Sequence, residues 1–129
     1  MIGKTKEISV TVDREKLACT VGSGSLEVFA TPMMIAAMEQ AACTLLQEFL
    51  EEGQTSVGTM MHVAHSAATP LGMQVTATAT ITAQEGRKVE FEVSARDACG
   101  EIGRGTHTRF IVDAAKFLSK TNAKREAAE

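Results

Sequence analysis

The sequence predicts an α+β fold in which one long central helix is wrapped by a five-stranded antiparallel sheet. Three observations carry this expectation: a largely apolar run with helical spacing in the N-terminal half, alternating apolar and polar residues in one segment before it and four after it, and breaks between segments at Gly, Pro and Asp. A single helix that is apolar over most of its surface can be buried by curling one twisted sheet around it. With 129 residues and 44% hydrophobic side chains, the chain fits one domain with a filled core.

Ile8, Val10 and Val12 alternate with polar neighbours and mark the first strand. Gly22 to Ser25 reads as a flexible connection before the helix. The helix opens with Thr31 as N-cap and Pro32 as first helical residue and closes near Gly53, about twenty residues or roughly 30 Å. A strand from Val57 to about Ser66 places Val57, Thr59, Met61, Val63 and His65 on one face, and Pro70 and Gly72 end it. Next, Val75, Ala77, Ala79, Ile81 and Ala83 alternate with four threonines; a turn at Glu85-Gly86 leads to Val89, Phe91, Val93 and Ala95; and a second turn, residues 97–100, leads to the last strand, residues 102–112. Gly103 and Gly105 share a face of that strand, where missing side chains allow close approach of a helix or a ligand, packing against the helix being the simpler reading. One helix inside a curled antiparallel sheet is the hot-dog fold. A single domain is expected over residues 1–117, with residues 118–129 a charged, flexible tail. A sheet around one helix leaves strand edges and an apolar helix flank uncovered, so a homodimer is expected.

Several function classes are excluded by composition. Trp and Tyr are absent, only five Phe remain as stacking platforms, and the net charge of −3 offers no basic field, so nucleic acid is not an expected partner. Cys19, Cys43 and Cys99 are odd in number with no CxxC pair, which argues against a disulfide framework and fits a reducing cytoplasm. No run approaches the roughly 20 apolar residues that cross a bilayer, so no membrane is expected either.

Glu39 is the only formally charged side chain between Val28 and Gln47. At 100° per residue it points roughly 120° away from the polar stripe of Gln40, Thr44, Gln47, Glu48 and Glu51 and falls in line with Ile35, Cys43, Leu46 and Leu50. A carboxylate buried there needs a partner or a chemical role. His65, at a strand end, is open to a structural role or to acid-base work near neutral pH. His62 faces the opposite side, so the HxxH spacing is not a metal pair, and no bound metal or cofactor is expected. Thr31 is explained by capping alone, yet a helix N-terminus also suits a polarised carbonyl or an anionic intermediate. Glu39 lies about 12 Å of helical rise beyond Thr31, so the two serve one site only if a partner subunit contributes one of them.

The stretches EVFATPMMIAAMEQAAC (residues 27–43), SVGTMMHVAHSAATPLGMQVTATA (56–79), EGRKVEFEVSARD (85–97) and EIGRGTHTRF (101–110) together resemble the hot-dog thioesterases, and most closely the fluoroacetyl-CoA thioesterase-like group. That resemblance implies a homodimer hydrolysing acyl-CoA thioesters without a metal, with Thr31, Glu39 and His65 as catalytic residues, Gly58 lending a backbone N–H near the acyl group and Arg109 shaping the substrate pocket. In such a site Glu39 attacks the thioester or activates water, while Thr31 and His65 orient the acid and stabilise developing charge. The chain departs from the fluoroacetyl-specific pattern at CTVGSGSL (19–26), which lacks the phenylalanines of that enzyme's lid, so a short or medium acyl group is the expected substrate. Arg87, Lys88, Arg104 and Lys116 are candidate partners for CoA phosphates. A non-catalytic acyl-CoA or acyl-carrier binding module is the alternative, and a hydratase lacks its usual local Asp and His pairing here.

Overall fold

A computed structural model describes residues 1–128; Glu129, at the end of the tail, lies outside the described residues. Five strands, β1 (Thr5–Thr11), β2 (Gln54–His65), β3 (Gln74–Glu85), β4 (Lys88–Asp97) and β5 (Gly100–Asp113), form one antiparallel sheet in the order β1-β3-β4-β5-β2. The central helix is α2 (Thr31–Gln47), preceded by the single turn α1 (Ala18–Val21) and followed at the C-terminus by α3 (Ala114–Asn122) and α4 (Lys124–Ala127). The expected α+β hot-dog architecture is therefore present, with the β3-β4-β5 meander as read.

The core lies between α2 and the concave face of the sheet. Met34, Ala37, Met38, Ala41, Ala42, Leu45 and Leu46 meet Val75, Ala77, Ala79 and Ile81 of β3 and Val89, Phe91, Val93 and Ala95 of β4, all buried. Each fully buried Met, Leu or Phe contributes about 1.5–3 kcal/mol relative to exposure, so this face holds the helix down. The alanines of β3 and α2 let the two backbones approach. Gly103 does the same at one point: a Cβ there would sit 2.7 Å from Met34 Sδ. Gly105, expected to face the helix likewise, is instead crowded by His62 and Val63 of the neighbouring strand.

Three local expectations are corrected. First, α2 ends at Gln47 rather than near Gly53, because the Glu48 N–H turns back to Leu45 O and Leu46 O and the chain then loops to Gly53, whose φ of +85° opens β2. Second, Ala30, not Thr31, is the N-cap. Pro32 has no N–H to cap, and the Met33 and Met34 N–H groups both reach Ala30 O at 3.0 Å, so the first turn leaves little for a side chain to satisfy. Third, β2 is not in one phase from Val57 to His65: Gly58 pairs with Arg109 and Met60 with Thr108, so Thr59 is an extra residue in a β-bulge. Beyond the bulge Met61, Val63 and His65 stand opposite His107, Gly105 and Gly103; before it Ser56 and Gly58, rather than Val57 and Thr59, share their side of the sheet.

Candidate active site

Thr31 and His65 meet at the N-terminal end of α2. Thr31 Oγ1 lies 2.7 Å from His65 Nδ1, the contact made possible by the absence of a capping role for Thr31. The segment before the helix is fixed from both sides: Phe29 N donates to Thr69 O at 2.9 Å, Ala30 N to Lys16 O at 2.9 Å, and Ala18 N to Val28 O at 2.8 Å. The turn after His65 is pinned as well, since Ser66 N donates to Ile102 O at 2.7 Å and the fully buried Thr69 donates from Oγ1 to Asp97 Oδ2 at 2.7 Å. His65 is half-buried, its Nε2 is buried without a hydrogen-bond partner among the described residues, and burial lowers its pKa below the ordinary histidine value. A neutral ring beside a hydroxyl can exchange a proton with it or with a ligand. Thr31 and His65 line an open cavity of about 250 Å³ whose other walls include Ala18, Ser23, Phe29 and Ala67.

Glu39 occupies a second cluster, two turns further along α2. Its side chain is 43% exposed, not fully buried as its apolar stripe suggested, because the adjoining Ile35 and Cys43 are themselves only half-covered. Within the chain its neighbours are Gly58, His107 and Arg109. Arg109 Nη1 is 3.7 Å from Glu39 Oε2, and a Cβ on Gly58 would stand 2.7 Å from that oxygen, 3.1 Å from His107 Cε1 and 3.3 Å from Arg109 Nη1. Gly58 and Arg109, both singled out from the sequence, are thus register partners across β2 and β5 and flank the acid. A side chain at that point would push the carboxylate aside.

Ser56 and His107 were not singled out as site residues. Ser56 accepts from Arg109 Nε at 2.8 Å through its hydroxyl and from Nη2 at 3.0 Å through its carbonyl, and His107 Nε2 lies 3.2 Å from Arg109 Nη1. Both are buried. Their sequence signal was masked by the bulge at Thr59, which brings Ser56 to the inner face and turns the Met60 carbonyl toward His107 Nδ1, 2.8 Å away. His107 and His65 do not meet, being four register positions apart on adjacent strands. Among the expected phosphate-binding cations, Arg104 is already engaged by Glu92 at 3.0 Å and Glu101 at 2.7 Å, and Lys88 lies 3.6 Å from Glu90.

Comparisons with known proteins agree with this architecture. The model of a family described as fluoroacetyl-CoA-specific thioesterase matches residues 12–115. A fluoroacetyl-CoA thioesterase of Streptantibioticus cattleyicolor is 45% identical over 101 residues, 78% of this chain and 73% of that protein. A solved structure of a fluoroacetyl-CoA thioesterase superposes with a TM-score of 0.90 at 36% identity, covering 96% of each chain. A thioesterase superfamily member from Thermus thermophilus superposes at 0.89 with 29% identity, covering 100% of this chain and 97% of that one. No helix among the described residues is long and apolar enough to cross a membrane. The chain belongs to the fluoroacetyl-CoA-specific thioesterase family, a group of hot-dog thioester hydrolases.

Proposed function

We propose that the protein hydrolyses the thioester of a short or medium acyl-CoA as a cytoplasmic homodimer, with Thr31, Glu39 and His65 as catalytic residues and no metal. The single observation that carries this reading is the pairing of Thr31 with His65 at 2.7 Å at one end of α2, while the carboxylate of Glu39 remains accessible further along the same helix. Eight residues separate Thr31 from Glu39, about 12 Å of rise, so in this reading each site takes Thr31 and His65 from one protomer and Glu39 from its partner. Two features support pairing of protomers: β2 is an edge strand of twelve residues on which Met60 is 51% exposed, and Ile35 and Cys43, in line with Glu39 on α2, are only half-covered. Long unprotected edges and apolar flanks of this kind call for a partner.

In the reaction, Glu39 attacks the thioester carbonyl carbon or takes the proton of the water that does so. In this reading Thr31, His65 and the Gly58 N–H stabilise the negative charge that the carbonyl oxygen gains. On the direct route the C–S bond breaks to leave an acyl-Glu39 anhydride, the departing thiolate takes a proton from water, and water then hydrolyses the anhydride to release the carboxylic acid and free Glu39. On the water route the C–S bond breaks as the proton held by Glu39 passes to the thiolate, releasing CoA thiol and the acid together. Arg109 shapes the wall on which Glu39 rests. The relatives are named for fluoroacetyl-CoA, but residues 22–27 here are exposed and carry no phenylalanine, and the cavity beside Thr31 is walled largely by small side chains. A wider range of short acyl groups fits such a mouth.

Steady-state hydrolysis across a panel of acyl-CoA esters tests the reading. Glu39→Gln and His65→Ala should each lower kcat/KM by roughly 10²-fold or more, the scale of a positioned acid or base. A wild-type protein that binds acyl-CoA tightly by calorimetry yet turns over no thioester would establish a binding module instead, and variants as active as wild type would overturn the roles given to Glu39 and His65.

A further inference from the structure

The geometry around Glu39 points to a role for two residues that touch no part of the proposed reaction directly. We propose that His107 and Ser56 are positioning residues for Glu39: they occupy the donors of Arg109 and so hold its guanidinium 3.7 Å from the carboxylate, near enough to orient it and too far to clamp it. The inference rests on Glu39 being the reacting acid.

A guanidinium carries five N–H donors and tends to form short, bidentate pairs with a carboxylate, at about 2.7–2.9 Å. In this protein three donors are spent elsewhere. Nε and Nη2 donate to the Ser56 hydroxyl and carbonyl, and Nη1 donates to His107 Nε2. The last assignment follows from the tautomer. The Met60 carbonyl only accepts, so His107 Nδ1 must carry the hydrogen that bridges their 2.8 Å separation, which leaves Nε2 as a lone pair in the neutral ring. Burial lowers the pKa of His107 and the adjacent Arg109 charge lowers it further, against opposing contributions from the Met60 carbonyl and Glu39. A second proton would set two donors against each other at Nε2 and Nη1.

The ring is fixed in place. It is 1% exposed, stacks at a tilt on Phe91 with centroids 5.9 Å apart, and abuts Gly58. The guanidinium is equally enclosed, at 8% exposure, whereas the Glu39 side chain keeps 43%. The result is a rigid cation whose remaining donors face a carboxylate open to substrate. If Arg109 were free to close on Glu39, the direct pair would favour the charged, satisfied carboxylate and make it a weaker base and nucleophile. The charged or titratable groups beside Glu39 are Arg109 and His107 from β5 and, on α2 itself, Cys43 one turn further along; its neighbour on β2, Gly58, carries no side chain.

The test compares His107→Phe, which removes both hydrogen bonds and keeps an aromatic ring, with His107→Gln, whose amide can donate to Met60 and accept from Arg109, and with the milder Ser56→Ala. In His107→Phe and Ser56→Ala, kcat for the best acyl-CoA should fall roughly tenfold or more with KM within about twofold, and the acid limb of the kcat profile should move to lower pH. His107→Gln should recover most of the rate. Crystal structures of the same variants read the mechanism without turnover: the distance from Arg109 Nη1 to Glu39 Oε2 should contract from 3.7 Å to hydrogen-bond length. Unchanged kcat and acid limb, or an unchanged separation, overturns the proposal, as does a His107→Gln variant as impaired as His107→Phe. Should His107→Phe not fold, Ser56→Ala decides by the same readouts. A wild-type protein without thioesterase activity defeats the functional reading alone, since the contraction is still measurable.

Discussion

At Gly58 a single hydrogen atom in place of a side chain decides where Glu39 can rest. The nearest neighbour a methyl group would meet, Glu39 Oε2 at 2.7 Å, is the end of a flexible side chain and can swing away, whereas His107 Cε1 at 3.1 Å belongs to a buried ring that cannot. Gly58→Ala should therefore destabilise the fold by only about 1 kcal/mol, the low end for overpacking, while displacing the carboxylate from its place beside Arg109. Hydrolysis should drop at least tenfold, since misplacing a reacting group by about 1 Å costs on that scale or more. Thermal unfolding with acyl-CoA kinetics on the same preparation checks this; a variant that loses stability and activity in proportion would mark Gly58 as a packing residue only. Glu39, Thr31 and His65 were legible in the sequence because each breaks a local rule or carries a family motif. Ser56 and His107 were not, since their significance depends on the extra residue at Thr59, and period-2 reading assumes an unbroken strand.

Among the elements, the connection between β2 and β3 carries the heaviest demand for order, because it holds His65 against Thr31. Besides its backbone bonds it is secured by a part-buried contact to the turn between β4 and β5, in which Thr69 Oγ1 donates to Asp97 Oδ2 at 2.7 Å while Asp97 Oδ1 accepts from Cys99 N at 2.8 Å. The Thr69 hydroxyl, first, and the Cys99 N–H hold the Asp97 carboxyl below the usual aspartate range. A depressed folded-state pKa means the contribution is present above the unfolded value near 3.8 and is lost as pH falls through the folded value. Thr69→Val keeps the shape and removes the bond, so it should cost about 1–2 kcal/mol at neutral pH, with the deficit narrowing below pH 4 as wild type loses the same interaction. Chemical denaturation at a series of pH values measures that convergence; a deficit independent of pH would assign the loss to packing. The strands themselves were plain from alternation, and α2 from its apolar spacing. Its end was misplaced because Phe49 and Leu50 continue the apolar pattern beyond Gln47, where the backbone has already turned. Strand order lay beyond reach, since nothing in the alternation distinguishes β2 beside β5 from β2 beside β3.

For the whole molecule, the decisive feature is that α2 separates what the proposed chemistry must combine. Thr31 is bonded to His65 at the helix start, and Glu39 lies beside Gly58 and Arg109 about 12 Å along it. Because the helix is packed on β1, β2, β3 and β4 by a buried face, no hinge in the domain can close that gap. A twofold that pairs the β2 edges would set the two helices alongside each other in opposite directions and could bring the start of one near the middle of the other. The consequence is testable by complementation. Thr31→Ala and Glu39→Gln should each be nearly inactive as homodimers, but mixing them under conditions that exchange subunits should restore hydrolysis, because every mixed dimer has one site with both substitutions and one with neither. A site contained in a single chain gives the opposite result: each protomer then carries one defect whatever its partner, and the mixture stays as inactive as its components. Measuring turnover against the fraction of mixed dimer, quantified by native mass spectrometry, distinguishes the two arrangements directly.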